Sequence, residues 1–272
     1  MGSIPSQRSL ADGYEAFLLD LDGTLYRGDA AIPGAIEVVH RLHERGDRVV
    51  FLTNNSGRTR EQVAEKLRAF GVEASPDEVV SSALATAEVL AGRGVRSVFA
   101  ICGEGLRSAM RERGIELSDG EPDAVDAVVV GWDPTADYDK LKMGGLLVQR
   151  GAALVASNGD GAFPAPDGLW PGAGALLSVI TTTTGASPEI IGKPHSPLFE
   201  TALERAGGGR PLVVGDRLDT DIAGAEDLGW DSLLVFSGIT APEDLSASSV
   251  RPTFVGADIR ALFDVARPAP SG

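Results

Sequence analysis

Two aspartates one residue apart, Asp20 and Asp22, close an apolar run in the stretch FLLDLDGTLY. Like charges that close repel, and burying either one alone is costly. A cation between them, or a reaction, has to account for the pair. Polar residues of matching kinds end other apolar runs far off in the chain: Thr53 and Asn54 in VVFLTN, and Asp216 in PLVVGD. Lys193 stands in GKP, just before a helical pattern. Three carboxylates, a lysine, a hydroxyl and an amide make a set suited to phosphoryl transfer. Asp20 and Asp216 offer the hard oxygens that Mg2+ takes alongside waters and phosphate oxygens. With the metal bridging carboxylate and phosphate, Asp20 is placed to attack phosphorus and form an aspartyl-phosphate. Asp22 is placed to protonate the leaving oxygen and later to deprotonate water. Thr53, Lys193 and the backbone N–H groups around Leu21–Gly23 would stabilise charge on the equatorial oxygens. Taken alone, D-x-D-G reads equally well as a polar turn after a strand; the four pieces in order raise its specificity.

The elements that position these residues alternate. FLLDLD reads as a buried strand, and residues 33–46 as a helix with Pro at its start and Gly at its end. VVFLTN is a second strand, and residues 59–71 a second helix, opened by a Thr59/Gln62 capping box and carrying Val63, Leu67 and Phe70 on one face. The last third repeats this grammar: helix 196–207, strand 211–216, helix 220–229, strand 232–238. Doubly apolar strands alternating with helices imply an α/β fold, a doubly wound parallel sheet covered on both faces. Ligands in such sheets bind at the carboxyl ends of the strands, where these polar residues stand. The middle has strands of its own in VRSVFAIC, AVDAVVVGW and GAALVASN, with helices in GLRSAMRERG and YDKLKMGGLLVQRG. It reads as a smaller α/β domain, 84–180, inserted between core segments 1–83 and 181–272. VSSALATA lies near the outgoing crossing and WPGAG near the return. The tail RPAPSG is expected to be disordered.

Charge and composition narrow the partners. The net charge of −15 lacks the basic stripe of a nucleic-acid binder. It also repels anionic ligands, so a phosphate substrate needs a metal, a lysine or helix N-termini close by. No apolar run reaches the ~18–20 residues that span a bilayer, and no secretory signal opens the chain. The single cysteine, Cys102, excludes an internal disulfide and fits a reducing cytoplasm. The start MGSIPS matches an N-myristoylation pattern at Gly2 and Ser6, but a floppy tail or an expression scar is the reading taken. The composition, rich in Ala, Gly and Arg, looks bacterial, where that modification is out of place.

DLDGTLY, LTNN, GKP and GDRLDTD resemble the four motifs of the haloacid dehalogenase (HAD) superfamily of phosphatases, over nearly the whole chain. LTNNSGRTREQVAEKL, ASNGD, WPGAGAL and GDRLDTDIAGAEDLG are similar to its NagD/4-nitrophenylphosphatase/phosphoglycolate phosphatase branch, whose large α/β (C2-type) cap sits between the second and third motifs. The resemblance implies a Rossmann-like core and Asp20 as nucleophile and metal ligand. It implies Asp22 as general acid and base with its backbone carbonyl on Mg2+, and Asp216 as the third protein ligand. Thr53, Asn54 and Lys193 would hold phosphate, and Asp221 a metal-bound water; Asp219 is read equally well as a helix cap. Relatives that cleave C–halogen bonds or act as transporters lack the second acid, so Asp22 points to a phosphatase or phosphomutase. The implied enzyme is a cytoplasmic, Mg2+-dependent phosphoric monoester hydrolase acting on small phosphorylated metabolites. A homodimer through the cap is a further expectation. By likeness to actinobacterial members, glycerol 3-phosphate is the first substrate expected, followed by phosphoglycolate, pyridoxal phosphate and nucleoside monophosphates. A phosphomutase or a catalytically silent phosphate binder remains as the alternative.

Other signals carry two readings each. CGEGLRS half-resembles a dinucleotide turn, but Ser108 stands where the third glycine belongs, so a tight strand–helix turn is the reading taken. Cys102 is read as a small buried hydrophobe, and His40 and His43 as a solvated or core-edge face. Trp132 reads as a substrate-reading residue or a plug for the cap's own core. Asn158 and Asp160 resemble the family's cap segment facing the core, or simply shape a turn. Arg217, beside Asp216, adds positive charge near phosphate or pairs with a neighbouring acid.

Overall fold

A computed structural model describes residues 9–165, 167–264 and 267–269; the Gly2/Ser6 pattern lies outside them. Two compact units emerge, one of residues 1–52, 64–79 and 202–272, the other of 53–63 and 80–201.

The first unit is built on a six-stranded sheet, ordered Phe254–Gly256, Asp231–Val235, Pro211–Gly215, Ala16–Asp20, Arg48–Thr53, Val79–Ser81. Ala16–Asp20 pairs in parallel with strands on both sides. Phe17, Leu18 and Leu19 are fully buried, as a strand covered on both faces requires. From this central strand the chain winds outward to one edge, then returns to Pro211–Gly215 on the other side. The sheet therefore reverses its winding between Asp20 and Gly215, and this reversal is where open α/β sheets bind ligands. The helix expected over 33–46 runs Ala35–Glu44, buried through Val38, Val39 and Leu42. The second runs Arg60–Ala69. Its capping box forms: Gln62 N–H donates to the Thr59 hydroxyl (3.3 Å) and Thr59 N–H to Gln62 Oε1 (3.0 Å). The C-terminal tail differs from expectation over Arg267–Ala269. Val255 N–H donates to the Arg267 carbonyl (3.3 Å) and Ala269 N–H to that of Thr253 (3.1 Å), so the segment completes an otherwise open sheet edge. The rest of the tail lies outside the described residues.

The second unit holds a five-stranded sheet, Glu189–Ile190, Ala153–Ala156, Ala127–Val130, Ser97–Ile101, Glu116–Ser118, parallel throughout. Phe99, Ile101, Val128, Val130, Leu154 and Ala156, alternate residues of three strands, pack with Met143 and Leu147 of helix Tyr138–Gln149 and Leu177 and Ile180 of helix Ala173–Thr184. Each of these side chains other than Ala156 contributes roughly 1.5–3 kcal/mol on burial. Gly144 lets helix Tyr138–Gln149 lie close to the sheet, since a Cβ there would fall 2.7 Å from Ile101. The expected boundaries at 83/84 and 180/181 fall inside helices Ser82–Gly92 and Ala173–Thr184. No helix among the described residues is long and apolar enough to cross a membrane.

Candidate active site

Asp20, Asp216 and Asp221 converge at the reversal point. Each presents a carboxylate oxygen within 4.8 Å of the others, the one such group of three acid, His or Cys ligands among the described residues. Asp216 and Asp221 are buried and Asp20 half-buried. Backbone geometry brings them together. Gly23, held at φ +82° by the turn after Asp22, leaves space that Asp216 fills: a Cβ there would lie 2.4 Å from its Oδ2. At Gly238 the same test gives 1.8 Å. Ile239 N–H donates to Asp216 Oδ2 (2.6 Å), and Thr240 N–H to the Asp216 carbonyl (3.2 Å). Asp221 does not begin an α-helix, as the 220–229 pattern suggests. It sits in a π turn, Leu218–Ile222, followed by a short helix, Ala223–Asp227. The wide turn swings its carboxylate back over Gly215, where a Cβ would lie 2.3 Å from Cγ, and Arg217 N–H donates to Oδ2 (3.2 Å). Single π turns of this kind concentrate at functional sites.

This donor set fits Mg2+. All three groups are hard carboxylate oxygens, and glycines at 23, 215 and 238 admit them where any other side chain would intrude. Asp22 stands outside the group of three and is exposed, its backbone bridged to Tyr26. Arg217 does not stand as an open cation, because its guanidinium forks onto Asp219 at 3.0 and 2.8 Å. That bond first, against the opposing effect of burial, holds the Asp219 carboxyl below its ordinary value. His40 and His43 lie outside the cluster, each within ion-pair distance of glutamates: Glu44 for the first, Glu73 and Glu78 for the second.

In the second unit, Lys193 is 5% exposed and the only buried cation among the described residues. Asn54 fixes its backbone: Oδ1 accepts from Lys193 N–H (2.8 Å) and Nδ2 donates to the Lys193 carbonyl (3.1 Å) and to Asp160 Oδ2 (3.3 Å). Asn158 Nδ2 donates to the Asn54 carbonyl at 2.8 Å, and its Oδ1 accepts from Asp160 N–H at 3.1 Å. Asn54, Asn158, Asp160 and Lys193 therefore form one network. Thr53, buried at the end of its strand, accepts Asn55 N–H on Oγ1 (3.1 Å). Trp132 stacks on Phe163 with ring centroids 4.6 Å apart, and its backbone N–H donates to the Ser56 hydroxyl (3.4 Å), which the Ser157 hydroxyl links to Asn158. The glycines of CGEGLRS serve packing: a Cβ on Gly105 would meet the Arg58 carbonyl at 2.4 Å. Burial pushes the Cys102 thiol up to about 12.

Two family profiles match, haloacid dehalogenase-like hydrolase over residues 17–116 and HAD-hydrolase-like over 190–262. The acid sugar phosphatase of Staphylococcus aureus is 41% identical over 249 residues, 90% of this chain and 95% of that one. Among solved structures, the glycerol phosphate phosphatase of Mycobacterium tuberculosis in complex with magnesium superposes with TM-score 0.90 at 35% identity, over 95% of this chain and 79% of that one. The 4-nitrophenylphosphatase of Thermotoga maritima gives 0.86 at 35%, over 93% and 97%. The chain belongs to the haloacid dehalogenase-like hydrolases. Within them it falls on the phosphatase branch, as a phosphoric monoester hydrolase.

Sequence reasoning did not find the segment Ser237–Thr240, whose main chain grips Asp216. Backbone donors carry no side-chain signature, and only the glycine at 238 hints at the close approach.

Proposed function

We propose that this phosphatase hydrolyses small phosphomonoesters in the cytoplasm, through an aspartyl-phosphate on Asp20, with Mg2+ held by Asp20, Asp216, the Asp22 carbonyl and, directly or through water, Asp221. The observation that carries the reading is the group of three carboxylates at the sheet's reversal point. When bound, Mg2+ neutralises these carboxylates and polarises the phosphate. An Asp20 oxygen attacks phosphorus as the bond to the leaving oxygen breaks, and Asp22 supplies the proton that oxygen takes. Asp22 then removes a proton from the water that attacks the aspartyl-phosphate, which releases inorganic phosphate and restores Asp20. Its exposure keeps it open to water for both transfers. Lys193 and Thr53 hold the phosphate oxygens. Asn54 contributes by fixing the Lys193 backbone, since both ends of its amide are engaged there.

The inserted segment 84–180 acts as a cap that reads the leaving group, with Trp132, Asn158 and Asp160 as candidate contacts; Arg217, in the core segment, is a further candidate only if it leaves its fork onto Asp219. Glycerol 3-phosphate is the first substrate in this reading. Likeness to a glycerol phosphate phosphatase supports it, and likeness to an acid sugar phosphatase widens the field to sugar phosphates. A homodimer through the cap belongs to the same proposal, supported by Leu169 and Trp170, 76% and 41% exposed on the hairpin Ala162–Ala165/Gly168–Pro171. Phosphate release from 4-nitrophenyl phosphate, glycerol 3-phosphate, phosphoglycolate, pyridoxal phosphate and a nucleoside monophosphate, with Mg2+ or EDTA, tests the reading. Turnover that needs Mg2+ and vanishes in Asp20→Asn supports it. No release from any of them by folded protein refutes it.

A further inference from the structure

Arg27 takes no part in the chemistry above, yet it reaches the site through the main chain. It closes the short hairpin strand Tyr26–Arg27 that follows the Asp20–Asp22 turn, and its side chain is exposed. Its Nη2 donates to the carbonyl of Ser237 and, at 3.3 Å, to that of Gly238. The Gly238 carbonyl and the Ile239 N–H belong to one peptide unit, and in a planar trans peptide these groups point in opposite directions. The Ile239 N–H is the donor that meets Asp216 Oδ2 at 2.6 Å. A guanidinium that fixes the carbonyl at one edge of this plane aims the N–H at the opposite edge toward the carboxylate. It also polarises the peptide, strengthening the donor along the chain of bonds. The Ser237 hydroxyl donates to the Gly23 carbonyl at 2.6 Å, tying the same loop to the turn that cradles Asp216.

We infer that Arg27 is a positioning residue for Asp216, acting through the 238–239 peptide. The inference rests on Asp216 being a Mg2+ ligand, as proposed above. Outer partners of metal ligands typically change affinity by about 10–100-fold when lost, and a partner one peptide further out belongs at the low end of that range. Replacing an exposed side chain leaves the fold itself little affected.

The test is Mg2+ binding by calorimetry to wild type, Arg27→Met and Arg27→Lys, with metal-free melting temperatures measured alongside. Arg27→Met is expected to bind Mg2+ about tenfold more weakly, with its metal-free melting temperature within about 2 °C of wild type. Arg27→Lys keeps one nitrogen donor within reach of a carbonyl but loses the planar head that holds that nitrogen in place, and is expected to recover part of the loss. Mg2+ affinity in Arg27→Met within twofold of wild type overturns the positioning role. So does a melting-temperature loss with Mg2+ affinity unchanged, which marks a structural role instead. Wild type that binds no Mg2+ refutes the metal reading itself, and is thereby distinguished from failure of the Arg27 inference.

Discussion

Adding one methyl group at Gly238 tests how closely the main chain defines the carboxylate cluster. A Cβ there would stand 1.8 Å from Asp216 Oδ2 and 2.3 Å from its Cγ, where real Cβ contacts do not fall below 3.0 Å. The φ of Gly238 is not positive, so alanine meets no backbone penalty and the strain falls on the Asp216 contact. Relief requires the loop or the carboxylate to retreat by more than about 1 Å, and misplacement on that scale costs roughly 10²-fold in rate. That corresponds to about 2.7 kcal/mol of transition-state stabilisation. Overpacking adds about 1–3 kcal/mol of lost stability, a fall of several degrees in Tm for a chain of this size. Gly92→Ala is the control: its Cβ meets nothing within 4 Å and its φ is not positive. The assay is kcat against Mg2+ concentration, with Tm measured with and without metal. Gly238→Ala is expected to lose about 10²-fold in kcat and to need more Mg2+ for half-maximal rate. Gly92→Ala is expected to match wild type. A Gly238→Ala enzyme with native kcat and native Mg2+ dependence would refute the claim that this contact sets the position of Asp216.

Mg2+ at a hundredfold excess over its dissociation constant should add about 2.7 kcal/mol to stability, raising Tm by roughly 5–10 °C; Asp216→Asn should abolish that rise in a thermal-shift titration. A second prediction concerns Asp133 in the second unit. Burial works to raise its carboxyl, but the Lys140 ammonium at 2.7 Å and the N–H and hydroxyl of Thr135 outweigh burial and hold it below its ordinary value. A depressed carboxyl stabilises the fold above its unfolded pKa of about 3.9 and ceases to do so as pH falls through the lower folded value. Asp133→Asn should therefore cost about 1.5–3 kcal/mol near neutral pH, toward the lower figure because Lys140 is partly in water. Denaturant unfolding across pH should show the two proteins converging below about pH 4; a gap independent of pH would count against the ion pair.

The periodic parts of the fold were legible because burial enforces them. FLLDLD, VVFLTN and PLVVGD read as buried strands since both faces are covered, and the structure pairs two of them directly against Ala16–Asp20. Helix ends were legible where side chains mark them, as at Thr59 and Gln62. The helix expected over 220–229 was legible only in part. Its apolar spacing fits an α-helix, but the pull of Asp221 toward Gly215 and the Arg217 N–H opens the first turn into a π turn. The hairpin Ala162–Ala165/Gly168–Pro171 escaped notice because the residues of its second strand are all exposed, so no alternation of apolar and polar side chains announces it. For Arg217 the sequence alone does not choose between two uses, and its fork onto Asp219 favours pairing with a neighbouring acid.

The carboxylates could be picked out individually from the sequence, but their mutual distances could not, and those distances carry the chemical argument. At 4.8 Å or less, two carboxylates repel by at least about 3 kcal/mol at an effective dielectric constant of 20. A fold retains three such groups together only if the surrounding backbone forces them there or a counter-charge rewards it. Here the backbone does the forcing, through glycines whose missing Cβ atoms let the carboxylates press against the main chain and N–H donors on Asp216 and Asp221 that hold them there. Donors arranged that way stabilise charged carboxylates without competing with a cation for all their lone pairs. The same glycines make the cluster intolerant of substitution at positions with no reactive group. Loss of function from a change at Gly23, Gly215 or Gly238 would therefore reflect the placing of Asp216 and Asp221, and should appear in Mg2+ affinity before it appears in the binding of substrate.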